Sequence, residues 1–373
     1  IIEADNIEPN VVDVPNSSDY DFSASIAAVS GEFRVSESGA ATYSVPFALP
    51  EGTAGVAPQL GLVYSSQGGN GFVGRGWSVS GLSAISRCRQ TVAQDGVSKP
   101  ITMTTEDRFC LDGQRLLNNA GTTYGAANST YRTEIDSYSR ITFTGDRFVV
   151  ERKDGTIAVY GGSSTNNSQI MVGSNVLTWS LTRVTDSVGN AITFHYAGAN
   201  DGYPISSVRY AYDQPVSQLT VAAITGDSAS VGTARAIINF ESEARPDVSS
   251  GYVYGQLLAS TRRLSRVTVS NSISSAAPAL VRQYLLQYLD TNESPLSRLQ
   301  SIRECAASAS VCKRDTTFNW ALPQGVQGNG HTSASVVAPG DDRWIDKFVP
   351  ADINGDGFVD LAVVEGDDDS DED

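Results

Sequence analysis

Alternation of apolar and polar residues with a period of two runs through most of this chain. Tyr43, Val45, Phe47 and Leu49 alternate with small or polar residues, and Pro46 marks an edge or a bulge. Leu60, Leu62 and Tyr64 alternate next. Phe148 and Val150 lead to Asp154-Gly155, and Ile157 and Val159 return, which reads as a hairpin with a type I′ turn. Leu177, Trp179 and Leu181 share one strand face. Ile192, Phe194 and Tyr196 share another, after a turn at Gly189-Asn190. Further strands centre on Ile238-Phe240, Val267-Val269, Tyr284-Leu286-Tyr288 and Phe318-Trp320. No sustained 3.6-residue period appears, so long helices are not expected.

Composition agrees with strands. The 373 residues include 34 Gly, 15 Tyr and 12 Phe and are 40% hydrophobic, enough to bury a core. The net charge of −16, from 42 acidic and 26 basic residues, argues against a nucleic-acid partner, which needs clustered Lys and Arg. It suits a secreted protein that meets extracellular Ca²⁺. No apolar run approaches the roughly 20 residues of a membrane helix. The start, Ile1-Ile2-Glu3-Ala4-Asp5, is not an intact signal peptide.

Four cysteines allow three pairings. The sequence-local one, Cys88 with Cys110 and Cys305 with Cys312, closes the smallest loops and is preferred. Bridges imply an oxidising compartment, and four buried thiols in a reducing one is the alternative. No CxxC or histidine cluster accompanies them, which speaks against zinc.

Near the end stands Asp352-Ile353-Asn354-Gly355-Asp356-Gly357-Phe358-Val359-Asp360. Oxygen side chains recur at every second residue with glycines between. Asp352, Asn354 and Asp356 can point inward, the Phe358 carbonyl can join them, and Asp360 can close the shell. Hard oxygen donors in a flexible loop suit Ca²⁺. An EF-hand needs Glu at the twelfth position, which here is Val363. Phe348-Val349 before the loop and Leu361-Ala362-Val363-Val364 after it read as strands. A calcium loop between short strands resembles the FG-GAP or VCBS repeat, an element of a β-propeller blade. The plain alternative is a polar turn without metal.

A longer resemblance begins at Pro58-Gln59-Leu60-Gly61-Leu62-Val63-Tyr64-Ser65-Ser66 and continues through Gly74-Arg75-Gly76-Trp77-Ser78-Val79-Ser80-Gly81-Leu82. Asp107-Arg108-Phe109-Cys110-Leu111-Asp112-Gly113, Tyr131-Arg132-Thr133-Glu134, Arg245-Pro246-Asp247, Ser297-Arg298-Leu299 and Thr317-Phe318-Asn319-Trp320 follow in order. Over roughly residues 30 to 345 the chain resembles the SpvB-type N-terminal domain, shared with the B component of Tc insecticidal toxins and with Rhs-like proteins. Leu181–Asp186 and Val208–Asp213 look like degenerate YD repeats. The resemblance implies the opening part of a large curled antiparallel β-sheet shell around a C-terminal toxin segment. It also implies a propeller that docks the shell onto a Tc-A-like translocation pore. The chain departs from the pattern by stopping at one blade element, without a long YD array or a toxin segment, and so reads as an N-terminal piece.

Enzyme readings are weaker. Glu241-Ser242-Glu243 spells the Glu-x-Glu of ADP-ribosyltransferases but sits on a strand whose alternate residues face water. Gly69-Asn70-Gly71-Phe72-Val73-Gly74 spells GxGxxG without a helix after it, and its glycines suit tight turns instead. His195 and His331 have no triad partners at recognisable spacing, and Trp77, Trp179 and Trp320 read as core. The expectation is therefore an all-β, non-catalytic scaffold. Residues 1–22 form a lead-in, 23–345 the β domain, 346–365 the start of a calcium-binding blade and 366–373 an acidic tail. An adhesion or carbohydrate-binding module and an ADP-ribosyltransferase-type toxin enzyme are the rivals.

Overall fold

Strands occupy most of the described backbone, as the alternation requires. The computed structural model describes residues 28–162, 167–198, 202, 204–216, 232–272, 277–289 and 296–320, and the backbone of 343–351 and 360–367. The chain divides into two units, Ile1–Phe318 and Asn319–Asp373.

The first unit opens with β1 (Glu32–Val35), β2 (Ala41–Pro46) and β3 (Gly61–Ser65). A two-residue hairpin pair follows, β4 (Asn70–Gly71) and β5 (Gly74–Arg75), and then β6 (Trp77–Ser80). Strands β1, β2, β3 and β6 make a four-stranded antiparallel sheet in that order. Pro46 is the last residue of β2, so its missing N–H ends a strand and costs no interior ladder bond.

A sixteen-stranded sheet takes the rest of the unit. Its first strands are β7 (Ala84–Cys88), β8 (Arg108–Leu111), β9 (Gln114–Asn118), β10 (Ser129–Thr133), β11 (Arg140–Phe143), β12 (Arg147–Glu151) and β13 (Ile157–Gly161). Next come β14 (Gln169–Val172), β15 (Asn175–Thr185), β16 (Ala191–Tyr196) and β17 (Ile205–Tyr212). The last are β18 (Ala234–Val253), β19 (Gln256–Asn271), β20 (Ala279–Tyr288), β21 (Leu299–Ala306) and β22 (Thr316–Thr317). The one α-helix among the described residues, α1 (Val92–Asp95), is a single turn between the Thr91 cap and the left-handed Gly96.

β7 through β13 pair in sequence, and both ends of that run meet β15. Trp179 pairs with Ile85 of β7, and Val184 with Ala158 of β13. The pairings thus close a ring of eight strands. Its interior is filled by aromatic side chains that meet across it. Phe109 lies 5.1 Å from Phe148 and 5.5 Å from Trp179, and Phe148 is 5.1 Å from Trp179. A ring of this size leaves room for side chains and little else.

The four-stranded sheet turns its apolar face to the large sheet. Phe47 packs 4.7 Å from Tyr284, and Trp77 packs 4.8 Å from Phe318. The Tyr210 hydroxyl donates to the Pro50 carbonyl at 2.7 Å. The Ala48 N–H donates to the Tyr284 hydroxyl at 2.8 Å.

One hairpin differs from the sequence reading in turn type. At Arg152–Thr156 only Gly155 has positive φ, and its N–H donates to the Arg152 carbonyl. That is a type I turn closed by a left-handed glycine, not a type I′ turn, which needs two positive φ residues. The Asp186–Asn190 turn repeats the arrangement with Gly189.

In the second unit β23 (Arg343–Ala351) pairs antiparallel with β24 (Asp360–Asp367). Ala351 opposes Asp360, so the two strands bracket residues 352–359.

Candidate functional site

Of the residues expected to hold Ca²⁺, Asp352, Asn354, Asp356 and Phe358 lie outside the described residues. Asp360 is described only as the first backbone position of β24. Elsewhere among the described residues, no group of three or more His, Cys, Asp or Glu is placed to hold a metal. His331, the lead-in 1–22 and the tail from 368 also lie outside the description. Among the described residues, no helix is long and apolar enough to cross a membrane.

The four cysteines form two bridges in the sequence-local pairing, Cys88–Cys110 and Cys305–Cys312. The first joins neighbouring strands β7 and β8 of the ring. The second closes the loop that leaves β21.

The long hairpin β18–β19 runs past its neighbours. β17 pairs with β18 only as far as Asn239, and β20 pairs with β19 only from Arg266. Beyond those points the hairpin is a two-stranded ribbon, turned at Tyr254-Gly255, both with positive φ as a type I′ turn requires. Two strands alone are marginal in water.

A polar latch holds the ribbon at its waist. The register slips between Ala244 and Ser249, and Arg245 and Asp247 turn inward there. Their side chains are 0% and 3% exposed. Arg245 donates to Asp247 at 3.1 Å, to Asn70 Oδ1 at 2.6 Å, and to the Gly71 carbonyl and Ser260 hydroxyl at 3.1 Å. Asp247 accepts from Asn70 at 2.9 Å and from the Ser297 N–H at 2.6 Å. Burial alone would raise the Asp247 carboxyl. Hydrogen bonds from Arg245, Ser297 and Asn70 outweigh it and hold the group well below the usual carboxylate range.

The same latch explains the glycine motif. Gly69–Gly74 builds the β4–β5 hairpin, with no helix after it. The Arg75 N–H reaches the Ser297 carbonyl at 2.8 Å. A Cβ on Gly74 would stand 2.3 Å from that carbonyl oxygen, and φ at Gly74 is +86°. The glycine permits close backbone approach rather than phosphate binding.

The Glu-x-Glu letters are ion-paired across β18 and β19. Glu243 accepts from Arg263 at 2.7 Å, Glu241 pairs with Arg266, and all four are register partners. Burial, helped by Arg209, lowers the His195 pKa, and Nε2 lies 3.2 Å from the Thr193 hydroxyl. Trp77 and Trp179 are buried core residues. A cleft of about 1040 Å³ beside Leu49–Pro58 is lined mostly by apolar side chains, prolines and glycines, with Ser44, Gln59, Ser80 and two carboxylates, Glu32 and Glu51, as its polar groups. The sequence shows Arg245-Pro246-Asp247 without its role. The signal was a charged pair around a proline inside a strand region.

The family described as Salmonella virulence plasmid 65kDa B protein (SpvB) matches residues 35–218. No curated protein matches. Among solved structures, the N-terminal domain of effector SpvB from Salmonella typhimurium strain LT2 superposes with TM-score 0.57 at 21% identity. That match covers 70% of this chain and 98% of the other. TcdB2-TccC3 matches with TM-score 0.60 at 19% identity over 79% of this chain, which spans about 16% of that much longer one. The Photorhabdus luminescens Tc holotoxin pore matches with TM-score 0.58 at 19% identity over 75% of this chain and 15% of that one. At these identities the superpositions speak for the fold. Residues 35–218 therefore match the SpvB family, and the chain has the all-β fold of the SpvB N-terminal domain and of the corresponding part of TcdB2-TccC3.

Proposed function

We propose that this chain is a non-catalytic wall segment of a secreted SpvB/Tc-type toxin, forming part of a β-shell that encloses or delivers a toxin payload. The observation that carries this reading is the continuous sixteen-strand sheet. It closes into a filled ring at one end and runs to a two-residue strand, β22, at the other. Such a sheet is a building surface, and its rims suit continuation by further strands. The likeness to TcdB2-TccC3 and to a Tc holotoxin pore supports a downstream Rhs-type shell and a Tc-A-like pore as partners. The paired state of Glu241 and Glu243 supports a structural role over catalysis.

Thermal unfolding with and without a co-expressed downstream Rhs segment tests the shell role. The segment is expected to raise the transition temperature, and a chain indifferent to it would count against the shell.

Within the same reading, residues 352–360 bind one Ca²⁺ between β23 and β24. Asp352, Asn354, Asp356 and Asp360 would supply side-chain oxygens, and Phe358 its carbonyl. An ion at a hundredfold excess over Kd stabilises by about 2.7 kcal/mol. Ca²⁺ is expected to slow proteolysis of residues 346–365 in the wild type and not in Asp356→Ala. Equal rates with and without EDTA would remove the calcium assignment.

A further inference from the structure

Phe33 and Val35 project from β1 on the sheet face that carries Tyr43, Val45, Leu62 and Trp77. Val45, Leu62 and Trp77 are covered, whereas Phe33 is 63% and Val35 65% exposed. The apolar face thus continues past its cover at this edge. β1 is the outermost strand, and no other strand among the described residues pairs with its far side. The Ser36 N–H donates across the hairpin to the Ala40 carbonyl at 2.9 Å. Strand alternation then turns residues 32 and 34 inward to β2, and the N–H and C=O groups of 31, 33 and 35 outward. Edges are ordinarily blunted by proline, bulges or a run of like charge. β1 has none of these. Its two charges are Glu32 and Arg34, of opposite sign, on the other face.

We propose that β1 is a self-association edge, to which a second copy of this chain adds antiparallel about a two-fold axis with Phe33 facing Phe33. The charges select both the partner and the register. With Phe33 opposite its mate, Glu32 faces Arg34 of the second copy and Arg34 faces Glu32, while Val35 lies over Gly31. A shift of two residues either way keeps the apolar faces together but sets Arg34 against Arg34 or Glu32 against Glu32. Like charges directly opposite are destabilising. A one-residue shift sends each Phe33 to the wrong face. The outward groups of 31, 33 and 35 become the ladder bonds, and two four-stranded sheets fuse into one of eight. The contact is self-complementary, as a two-fold interface must be. This surface is independent of the shell rims at β22 and of the toxin reading.

The test uses the full chain. Sedimentation of the wild type over a concentration series is expected to shift from monomer to dimer. All four native cysteines are bridged, so a substituted cysteine supplies the single free thiol. Phe33→Cys under mild oxidation is expected to give a disulfide dimer on a non-reducing gel, because opposed residues in such a pair lie within bridging distance. Val35→Cys, opposite glycine, is expected to give about a tenth as much. Arg34→Glu is expected to weaken dimerisation about tenfold, and Glu32→Arg with Arg34→Glu to restore it. A wild type that stays monomeric throughout, equal cross-linking of the two cysteine variants, or no rescue by the charge swap would overturn the proposal.

Discussion

The eight-strand ring and the outer half of the β18–β19 ribbon are built from the same antiparallel pairing and held by opposite means. In the ring every strand has two neighbours, and Phe109, Phe143, Phe148 and Trp179 fill the space between them. Closure removes edges and lets a small interior bury large side chains. The ribbon beyond Phe240 has one strand partner per strand, and apart from Leu264, which is buried and whose N–H donates to the Phe72 carbonyl, it has little core of its own. From Val248 to Thr261 it carries no charge, and Val248, Tyr252, Tyr254 and Leu257 are exposed. Its anchor is a buried ion pair with polar neighbours. Dispersion and burial add up over many contacts and tolerate small shifts, whereas a buried charge network holds only while every member is present. The ring should therefore fail as a whole, and the ribbon should release as a local unit.

The largest effect expected comes from the ring. Phe148 is 0% exposed and touches Phe109, Phe143 and Trp179. Phe148→Ala is expected to cost about 3–5 kcal/mol, read as a fall in global stability by denaturant titration. Should only part of the molecule respond, the ring is not the cooperative unit and the contrast fails.

The ribbon comes next. Arg245→Ala strands the Asp247 carboxylate in a buried site, a change of up to about 3–5 kcal/mol locally. Amide exchange is expected to rise at residues 247–260 and 70–75 while ring amides keep their protection. Acid should act on the same unit. The folded pKa of Asp247 lies below its unfolded value near 4. Its stabilising contribution is thus complete above that unfolded value and is lost as pH falls through the folded one. Ribbon amides are expected to open first below about pH 4. Simultaneous acid loosening of ring and ribbon would show that the latch does not define a separate unit.

The contrast also marks what the sequence could disclose. Alternation placed β2, β3, β12, β13, β15 and β16, because their large apolar residues recur at every second position; β12, β13 and β16 are buried on both faces all the same. Ring closure was not visible, since β15 meets β7 and β13 through pairings far apart in the chain. The ribbon was read only around Ile238-Phe240 and Val267-Val269. Pro246, Ser249, Ser250 and Gly251 carry loop chemistry, yet β18 runs to Val253, because the bulge absorbs Pro246, while Ser249, Ser250 and Gly251 pair in register with Ser260, Ala259 and Leu258. The latch was present as letters, but Asp247 meets Asn70 across 177 residues and Ser297 across 50. The turn at Asp154-Gly155 was recognised as a hairpin and mistyped, because Asp-Gly serves both turn types and only backbone φ separates them.

The smallest effect expected lies where ring and ribbon logic both predict nothing. Glu243 is a register partner of Arg263 on the open stretch of the ribbon, and its side chain is 45% exposed. An exposed ion pair contributes about 0–1 kcal/mol. Arg263 keeps a second role, since its guanidinium stacks 4.3 Å from the Tyr288 ring, so loss of the carboxylate leaves it anchored. Glu243→Gln is therefore expected to leave the melting temperature and the ribbon's amide exchange almost unchanged. It also removes the second carboxylate of the only Glu-x-Glu in the chain. If NAD⁺ turnover were measurable in the wild type and abolished by this substitution, Glu243 would be a catalytic group and the scaffold reading would fall. A silent variant with no turnover in either protein is the outcome expected of a solvated cross-strand pair on a structural ribbon.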